Sequence, residues 1–229
     1  MIDLFAGLGG WAEGFLSEGW DCIGFDVERH DYGDNNRYPA QLVLQDVLTL
    51  HGRQFKNAVM IVASPPCHAY SYMAMPWKLG KAKAAAIRAD TTGESLVSLN
   101  RLFNACFRIQ REACEAAGRY IPMVVENVRG AQPWVGRAKW NFGSFYLWGD
   151  VPTLMPSASV EGTKIGGDWF SDPNSTCRKH GSKSKSRKAA SASIAKIPFA
   201  LSQHIARTYK PAHRGPYCKN LNGPLQYTT

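Results

Sequence analysis

Val59-Met60-Ile61-Val62-Ala63-Ser64-Pro65-Pro66-Cys67 is the most informative run in this 229-residue chain. Its first five residues are apolar without a break, which reads as a short strand buried in a parallel sheet. Two prolines then fix the backbone and keep a helix from starting at once. The thiol of Cys67 is therefore held at the carboxyl end of a strand, where open α/β sheets place ligands and chemistry. A cysteine attacks only as its thiolate, so its surroundings matter as much as its presence. Cys67 is the candidate reaction centre.

Upstream, residues 2–5 read as a first strand, followed by Ala6-Gly7-Leu8-Gly9-Gly10 and an amphipathic helix from about 11 to 18. Strand, glycine turn and helix make a nucleotide-type cradle: glycines permit close backbone approach, and the helix start presents free N–H groups. The spacing differs from the dinucleotide G-x-G-x-x-G. A second strand over 21–25 ends in Asp26, and a third over 42–44 is followed by Asp46. A carboxylate after strand two, about 20 residues beyond a glycine turn, commonly accepts hydrogen bonds from ribose hydroxyls. Each aspartate could equally cap a helix.

Downstream, residues 70–93 read as a loop that could move, with Trp77, Lys78, Lys81, Lys83 and Arg88 suited to phosphate contact and base stacking. A long helix is expected over 94–117, with Cys106 and Cys114 on its apolar face. Residues 121–125 form a buried strand ending in Glu126-Asn127-Val128-Arg129. A carboxyl at such a strand end sits in a low dielectric that raises its pKa, unless it pairs with Arg129 or Arg137. Residues 145–148 form another strand. From 157 to 193 the chain turns to Ser, Lys, Gly and Asp, and 178–188 is either a mobile loop or a phosphate-contacting arm. Pro198 suits the first turn of a closing helix through about 208, and the last twenty residues read as a tail.

Composition narrows the function classes. No apolar stretch is long enough to span a bilayer. The start already lies in a strand pattern, so no signal peptide is expected. Six irregularly spaced cysteines point to reduced thiols and a cytoplasmic setting. Residues 173–229 carry 11 Lys and Arg and no Asp or Glu, while residues 1–172 are close to neutral. That asymmetry fits a nucleic-acid partner or a solubilising tail. Cys177-x-x-His180 with His204, His213 and Cys218 lacks a second close ligand pair, so no metal site is expected.

Together these residues resemble the DNA cytosine-5 methyltransferases. Asp3-Leu4-Phe5-Ala6-Gly7-Leu8-Gly9-Gly10 is similar to that family's first motif, Pro65-Pro66-Cys67 with Ser71 to its nucleophile motif, and Glu126-Asn127-Val128 to its third signature. The resemblance covers roughly residues 1–150, with an echo at 195–207. It implies an α/β, Rossmann-like class I methyltransferase fold of seven strands that uses S-adenosylmethionine. The cofactor residues it implies are Phe5, Ala6, Gly7, Leu8, Gly9, Gly10, Asp26, Val27, Asp46, Val47, Pro65 and Leu102. For the nucleic acid it implies Ser71, Asn127, Arg129, Arg137 and Lys139, to which the basic run adds Lys183, Lys185 and Arg187. Residues 1–150 would form the catalytic and cofactor-binding domain, 151–193 a short basic target-recognition region, and 194–229 the closing helix and tail of a monomer.

The chemistry explains the residue types. Attack of the Cys67 thiolate on the 6-carbon of cytosine pushes electron density onto the 5-carbon, and Glu126 would stabilise the ring charge. A stacked base must first be flipped out. Two departures stand out. The family's Gln-x-Arg-x-Arg is absent, its place taken by Trp140-Asn141-Phe142-Gly143-Ser144, with Arg137 or Lys139 as candidate substitutes. The closing motif reads Ile194-Ala195-Lys196-Ile197-Pro198, without the usual Gly-Asn. DNA cytosine methylation, as in a phage or restriction-modification setting, is the main reading. RNA cytosine methylation and a non-catalytic DNA-binding role are the alternatives.

Overall fold

A computed structural model describes residues 1–33, 37–71, 77–155 and 184–211. Seven strands form one sheet: β1 (Ile2–Leu4), β2 (Ile23–Asp26), β3 (Gln41–Leu44), β4 (Ile61–Ala63), β5 (Met123–Asn127), β6 (Trp140–Phe142) and β7 (Phe145–Gly149). Their order is β3-β2-β1-β4-β5-β7-β6. The first five are parallel, and β7 runs antiparallel to both β5 and β6. The sheet is the seven-stranded α/β arrangement expected above. The strand order reverses direction at β1, with β2 on one side and β4 on the other, and this switch point is where such sheets bind ligands.

The helices are α1 (Gly10–Ser17), α2 (Trp77–Ala89), α3 (Glu94–Ala117), α4 (Gln132–Val135), α5 (Lys185–Ala195) and α6 (Phe199–Tyr209). Each side of the sheet buries its own core. Met60, Val62, Val124 and Leu147 face Trp11 and Phe15 of α1 and Leu201 and Ile205 of α6. Ile61, Ala63, Met123 and Val125 face Phe103, Cys106 and Ile109 of α3. This alternation along β4 and β5 is the period-two pattern of a strand buried on both faces.

The structure adds to or departs from the sequence reading at three places. The segment read as a loop over 70–93 contains α2, because its Ala, Lys, Leu and Arg residues are strong helix formers. Gly80, Ala84 and Ile87 on one face line a narrow cleft with Tyr70, Leu99 and Trp134, and Arg88 stacks over Trp134 at 5.1 Å. Residues 140–142 form β6, turned back on β7 at Gly143 with φ +58°. The basic run read as a mobile loop or a phosphate-contacting arm is helical from Lys185 onward, as α5. Residues 156–183 and 212–229, including Lys183, Cys177, His180, His213 and Cys218, lie outside the described residues. Cys22, Cys67, Cys106 and Cys114 are free thiols. No described helix is long and apolar enough to cross a membrane.

Asp3 is an unusual core residue, 1 % exposed in the middle of β1. The Tyr38 phenol faces it without reaching hydrogen-bond geometry. Desolvation, with Asp26 nearby as a lesser cause, holds its pKa well above the usual carboxylate range. Its contribution to stability is therefore intact below the unfolded value, about 4, and is lost as pH rises toward the folded one. Each unit of separation costs about 1.4 kcal/mol. Asp3→Asn is expected to melt higher than the parent at pH 7, with the gap closing by about pH 4. Thermal melts at both pH values check this; a lower melting temperature at pH 7 would mean a partnered, charged carboxylate.

Candidate active site at the carboxyl edge of the sheet

Cys67 lies four residues beyond β4 and is half-buried. Its carbonyl accepts the Tyr70 N–H at 3.0 Å and the Ser71 N–H at 2.9 Å, so a tight turn closes behind the thiol. The sheet continues one rung past β4, because the Ser64 N–H donates to Leu4 O at 3.1 Å. Further bonds hold the residues before the thiol. The Trp11 indole donates to Ser64 Oγ at 2.9 Å, and Asn127 Nδ2 donates to Pro65 O at 2.9 Å. Tyr70 is tied to α3 through Asn100, whose Oδ1 accepts its hydroxyl at 3.0 Å and whose Nδ2 donates to Trp134 O at 2.8 Å.

Glu126 is 6 % exposed on β5, the strand next to β4. Ala63 pairs with Val125, so Ser64 and Glu126 occupy the next rung. A buried carboxyl and a half-buried thiol therefore stand at the ends of adjacent parallel strands, joined by the Asn127–Pro65 bond. Asn127, expected at the nucleic acid, is 1 % exposed and spends its amide inside the protein. Ser71 is half-buried beside the thiol turn. Arg129, Arg137 and Lys139 are exposed: Arg129 lies two residues beyond β5, and the Lys139 N–H donates to Leu147 O of β7.

On the other side of the switch point, Gly7 has φ +52°, and a Cβ there would meet only Phe5 O at 3.9 Å. Its N–H donates to Asp26 Oδ2 at 2.9 Å, while Oδ1 accepts from Glu28 N at 3.2 Å. Phe5, at φ +61°, is the single non-glycine with positive φ among the described residues. Such a backbone costs roughly 1–2 kcal/mol and clusters at functional sites. Val27 is 69 % exposed beside Asp26. Ala6 and Leu8 are buried, offering only backbone.

Gly9 and Gly10 were expected to let a ligand approach, but their own chain approaches instead. A Cβ on Gly9 would lie 2.3 Å from Pro39 Cδ, and one on Gly10 2.5 Å from Ile197 N. Asp46 is exposed and caps a 3-10 turn through the Leu48 N–H at 2.9 Å. Val47 is 1 % exposed, so its side chain belongs to the core. Pro65 is likewise buried. It is Pro66 that lines a cavity of about 530 Å³ with Leu102, His68, Lys83 and Arg101. Of the residues missed by the sequence reading, Trp11 and Asn100 carry no motif of their own, and Ser64 and Pro66 lie in the nucleophile run but show their roles only through their partners in space.

Part of the cationic end is used within the molecule. Lys188 pairs with Glu28 at 3.2 Å, Lys196 with Glu13 at 2.6 Å and Arg207 with Glu18 at 2.8 Å. Lys185 is exposed at the start of α5; the side chain of Arg187 lies outside the described residues.

Residues 1–85 match the model of the C-5 cytosine-specific DNA methylase family. Among solved structures, a DNMT2 variant of Spodoptera frugiperda is 18% identical, covering 58% of this chain and 37% of that one, with a TM-score of 0.35. The Entamoeba histolytica methyltransferase EhMeth is 17% identical, covering 59% and 39%, with a TM-score of 0.34. The chain thus spans about two fifths of the length of these proteins. No curated protein matches it.

Proposed function

From a chain whose first 85 residues match the C-5 cytosine-specific DNA methylase family, we propose a methyltransferase that modifies the 5-carbon of cytosine in duplex DNA. One observation carries this reading: the Cys67 thiol and the buried Glu126 carboxyl end adjacent parallel strands, and the Asn127–Pro65 bond ties the two ends together.

S-adenosylmethionine is the cofactor of this family, and the residues present fit it. Gly7 leaves open space where a side chain would stand, and Asp26 lies directly beside it. Exposed Val27 offers an apolar surface next to that carboxylate, and Asp46 ends the neighbouring strand. Gly7, Asp26, Val27 and Asp46 would hold the nucleoside, with Pro66 and Leu102 walling the side nearest the thiol. When bound, the cofactor supplies an electrophilic methyl group.

The protein's own groups prepare the pyrimidine to receive it. The Cys67 thiolate forms a bond to the 6-carbon, and the ring's π electrons move toward the 5-carbon. Glu126, held in a water-poor position, shares its carboxyl proton with the ring edge and so offsets the negative charge that develops there. After the 5-carbon is substituted, its proton passes to solvent water, and the freed electron pair expels the thiolate and restores the ring. The base must leave the helical stack for this geometry. Exposed Arg129, Arg137, Lys139 and Lys185 are the proposed phosphate contacts, where each cation adds salt-dependent, sequence-independent affinity. Residues 1–150 are assigned to catalysis and cofactor, 151–193 to target recognition and 194–229 to closure, although α5 runs through the second boundary.

The test is transfer of labelled methyl from S-adenosylmethionine to duplex DNA and to tRNA in parallel. Incorporation into cytosine of DNA supports the reading, and incorporation into tRNA alone replaces DNA by RNA as the polymer. No incorporation into either, with no covalent adduct on 5-fluorocytosine DNA, would leave a binding role.

A further inference from the structure

The same core that buries α1 and α6 holds two buried tryptophans with different uses of their indole N–H. Trp20, 8 % exposed, stacks edge-on against Phe15 at 5.0 Å, and its Nε1 has no hydrogen-bond partner among the described residues. Trp11, 2 % exposed in the first turn of α1, donates its Nε1–H to Ser64 Oγ at 2.9 Å across 53 residues of sequence. A buried indole normally finds an acceptor, but only Trp11 reaches one, and that acceptor opens the run Ser64-Pro65-Pro66-Cys67.

The register tells where this bond acts. Val62 and Val124 both face the α1 side of the sheet. Side chains alternate along a strand, so Ser64 and Glu126, two residues on from each, emerge on that same face and on one rung. A hydroxyl has two lone pairs and one proton. The indole occupies a lone pair, which leaves the Ser64 proton to donate toward the face that carries the Glu126 carboxyl. Trp11 is itself fixed, because its carbonyl accepts the Ser202 hydroxyl of α6. Pro65 and Pro66 are stiff, so an orientation imposed at Ser64 is transmitted to Cys67 with little slack.

We infer that Trp11 and Ser64 are positioning residues for the reaction: their hydrogen bond sets where the Cys67 thiol and the Glu126 carboxyl stand relative to one another. The inference rests on the proposed reaction, and Trp20 supplies an internal control in the same core.

The experiment compares Trp11→Phe, Ser64→Ala, the double variant and Trp20→Phe in the full chain. Phenylalanine keeps the aromatic bulk and removes only the N–H and part of the ring. Misplacement worth about 1.4 kcal/mol at the transition state predicts a roughly tenfold fall in kcat for Trp11→Phe and for Ser64→Ala. KM and cofactor affinity should stay within about twofold, and the double variant should be no worse than either single change, as for two partners of one bond. Trp20→Phe should lose a comparable melting temperature while keeping kcat. A second readout needs no substrate: the rate and pH profile of iodoacetamide alkylation at Cys67, followed by peptide mass spectrometry. Trp11→Phe and Ser64→Ala should shift that profile alike, and Trp20→Phe should not. Unchanged kcat and alkylation in Trp11→Phe, or equal losses in Trp11→Phe and Trp20→Phe, would overturn the inference. An altered alkylation profile in a chain that methylates nothing would instead locate the failure in the proposed reaction.

Discussion

Cys67→Ala is expected to abolish methyl transfer and the covalent adduct with 5-fluorocytosine DNA, while cofactor affinity stays within about twofold of the parent. The separation of effects follows from what the thiol does and does not support. The turn around it is made by main-chain bonds from Tyr70 and Ser71 to the Cys67 carbonyl, and alanine preserves both. The strand ends before and beside it are held by Trp11 and Asn127. The proposed cofactor cradle rests on Gly7 and Asp26 at the other side of the switch point. Removing one sulfur therefore deletes the proposed nucleophile and leaves the frame. Glu126→Gln gives the graded counterpart: shape is kept, the acidic proton offered to the ring is lost, and kcat should fall by roughly 10²–10³, the range seen when one hydrogen-bond donor to a developing negative charge is removed. Labelled-methyl incorporation and gel-shifted adduct measure both variants. Transfer retained by Cys67→Ala would remove the thiol from the mechanism, and an unaffected Glu126→Gln would mean the carboxyl does not grip the ring.

Much of this arrangement is legible in the chain because burial leaves a periodic trace. The run around Ile61 and the run around Val124 are continuous apolar segments, as strands covered on both faces must be, and each delivers its functional residue at its carboxyl end. The 24-residue helix Glu94–Ala117 is equally plain, since its Phe103, Cys106 and Ile109 recur at helical spacing. Helix α2 was hidden for the opposite reason. The face it turns inward carries Gly80, Ala84 and a single large apolar residue, Ile87, too few for a periodic hydrophobic signal, while the lysines around them read as loop. Strand β6 is three residues long with two of them exposed, and it exists only because β7 offers it an edge.

What could not be read is which atoms meet. Pro65 and Pro66 are indistinguishable in the sequence, yet one is buried with its carbonyl on Asn127 and the other lines a cavity with Leu102. Asn127 follows Glu126 and reads as a second ligand group, but alternation turns it to the opposite face, where its amide clamps the nucleophile turn. The basic carboxyl-terminal part read as one reservoir of charge for a polyanion, yet Lys188, Lys196 and Arg207 face carboxylates of the first 28 residues. Long-range pairing of this sort depends on register and layer order, which no local pattern records.

The glycine turn offers the clearest case, and it yields the largest expected effect on stability. Gly10→Ala would improve intrinsic helix propensity in the first turn of α1 by about 1 kcal/mol if the site were free. It is not free. The added Cβ would lie 2.5 Å from Ile197 N, 2.6 Å from Ile197 O and 3.0 Å from its Cα, all backbone atoms. Ile197 cannot step aside easily: it is 4 % exposed in the core, and Pro198 after it caps α6. Four residues on, a Cβ at Gly14 would meet Gln203 N at 2.4 Å, so the two glycines form the flat face on which α6 lies. Overpacking of this kind costs roughly 1–3 kcal/mol or more, which outweighs the helical gain. A fall of about 2 kcal/mol would lower the melting temperature by some 4–8 °C in a chain of this size. Because the clash lies between α1 and the segment leading into α6, relief comes by loosening that segment, and amide exchange should quicken over residues 199–209 while α3 keeps its protection. Gly19→Ala separates this effect from simple backbone strain, since Gly19 has φ +76° but open space around it. That variant should lose only about 1–2 kcal/mol, with exchange in α6 unchanged. Equal behaviour of the two variants would mean that α6 does not rest on the glycine face, and the link from the carboxyl-terminal helix through Trp11 to the nucleophile would lose its foundation.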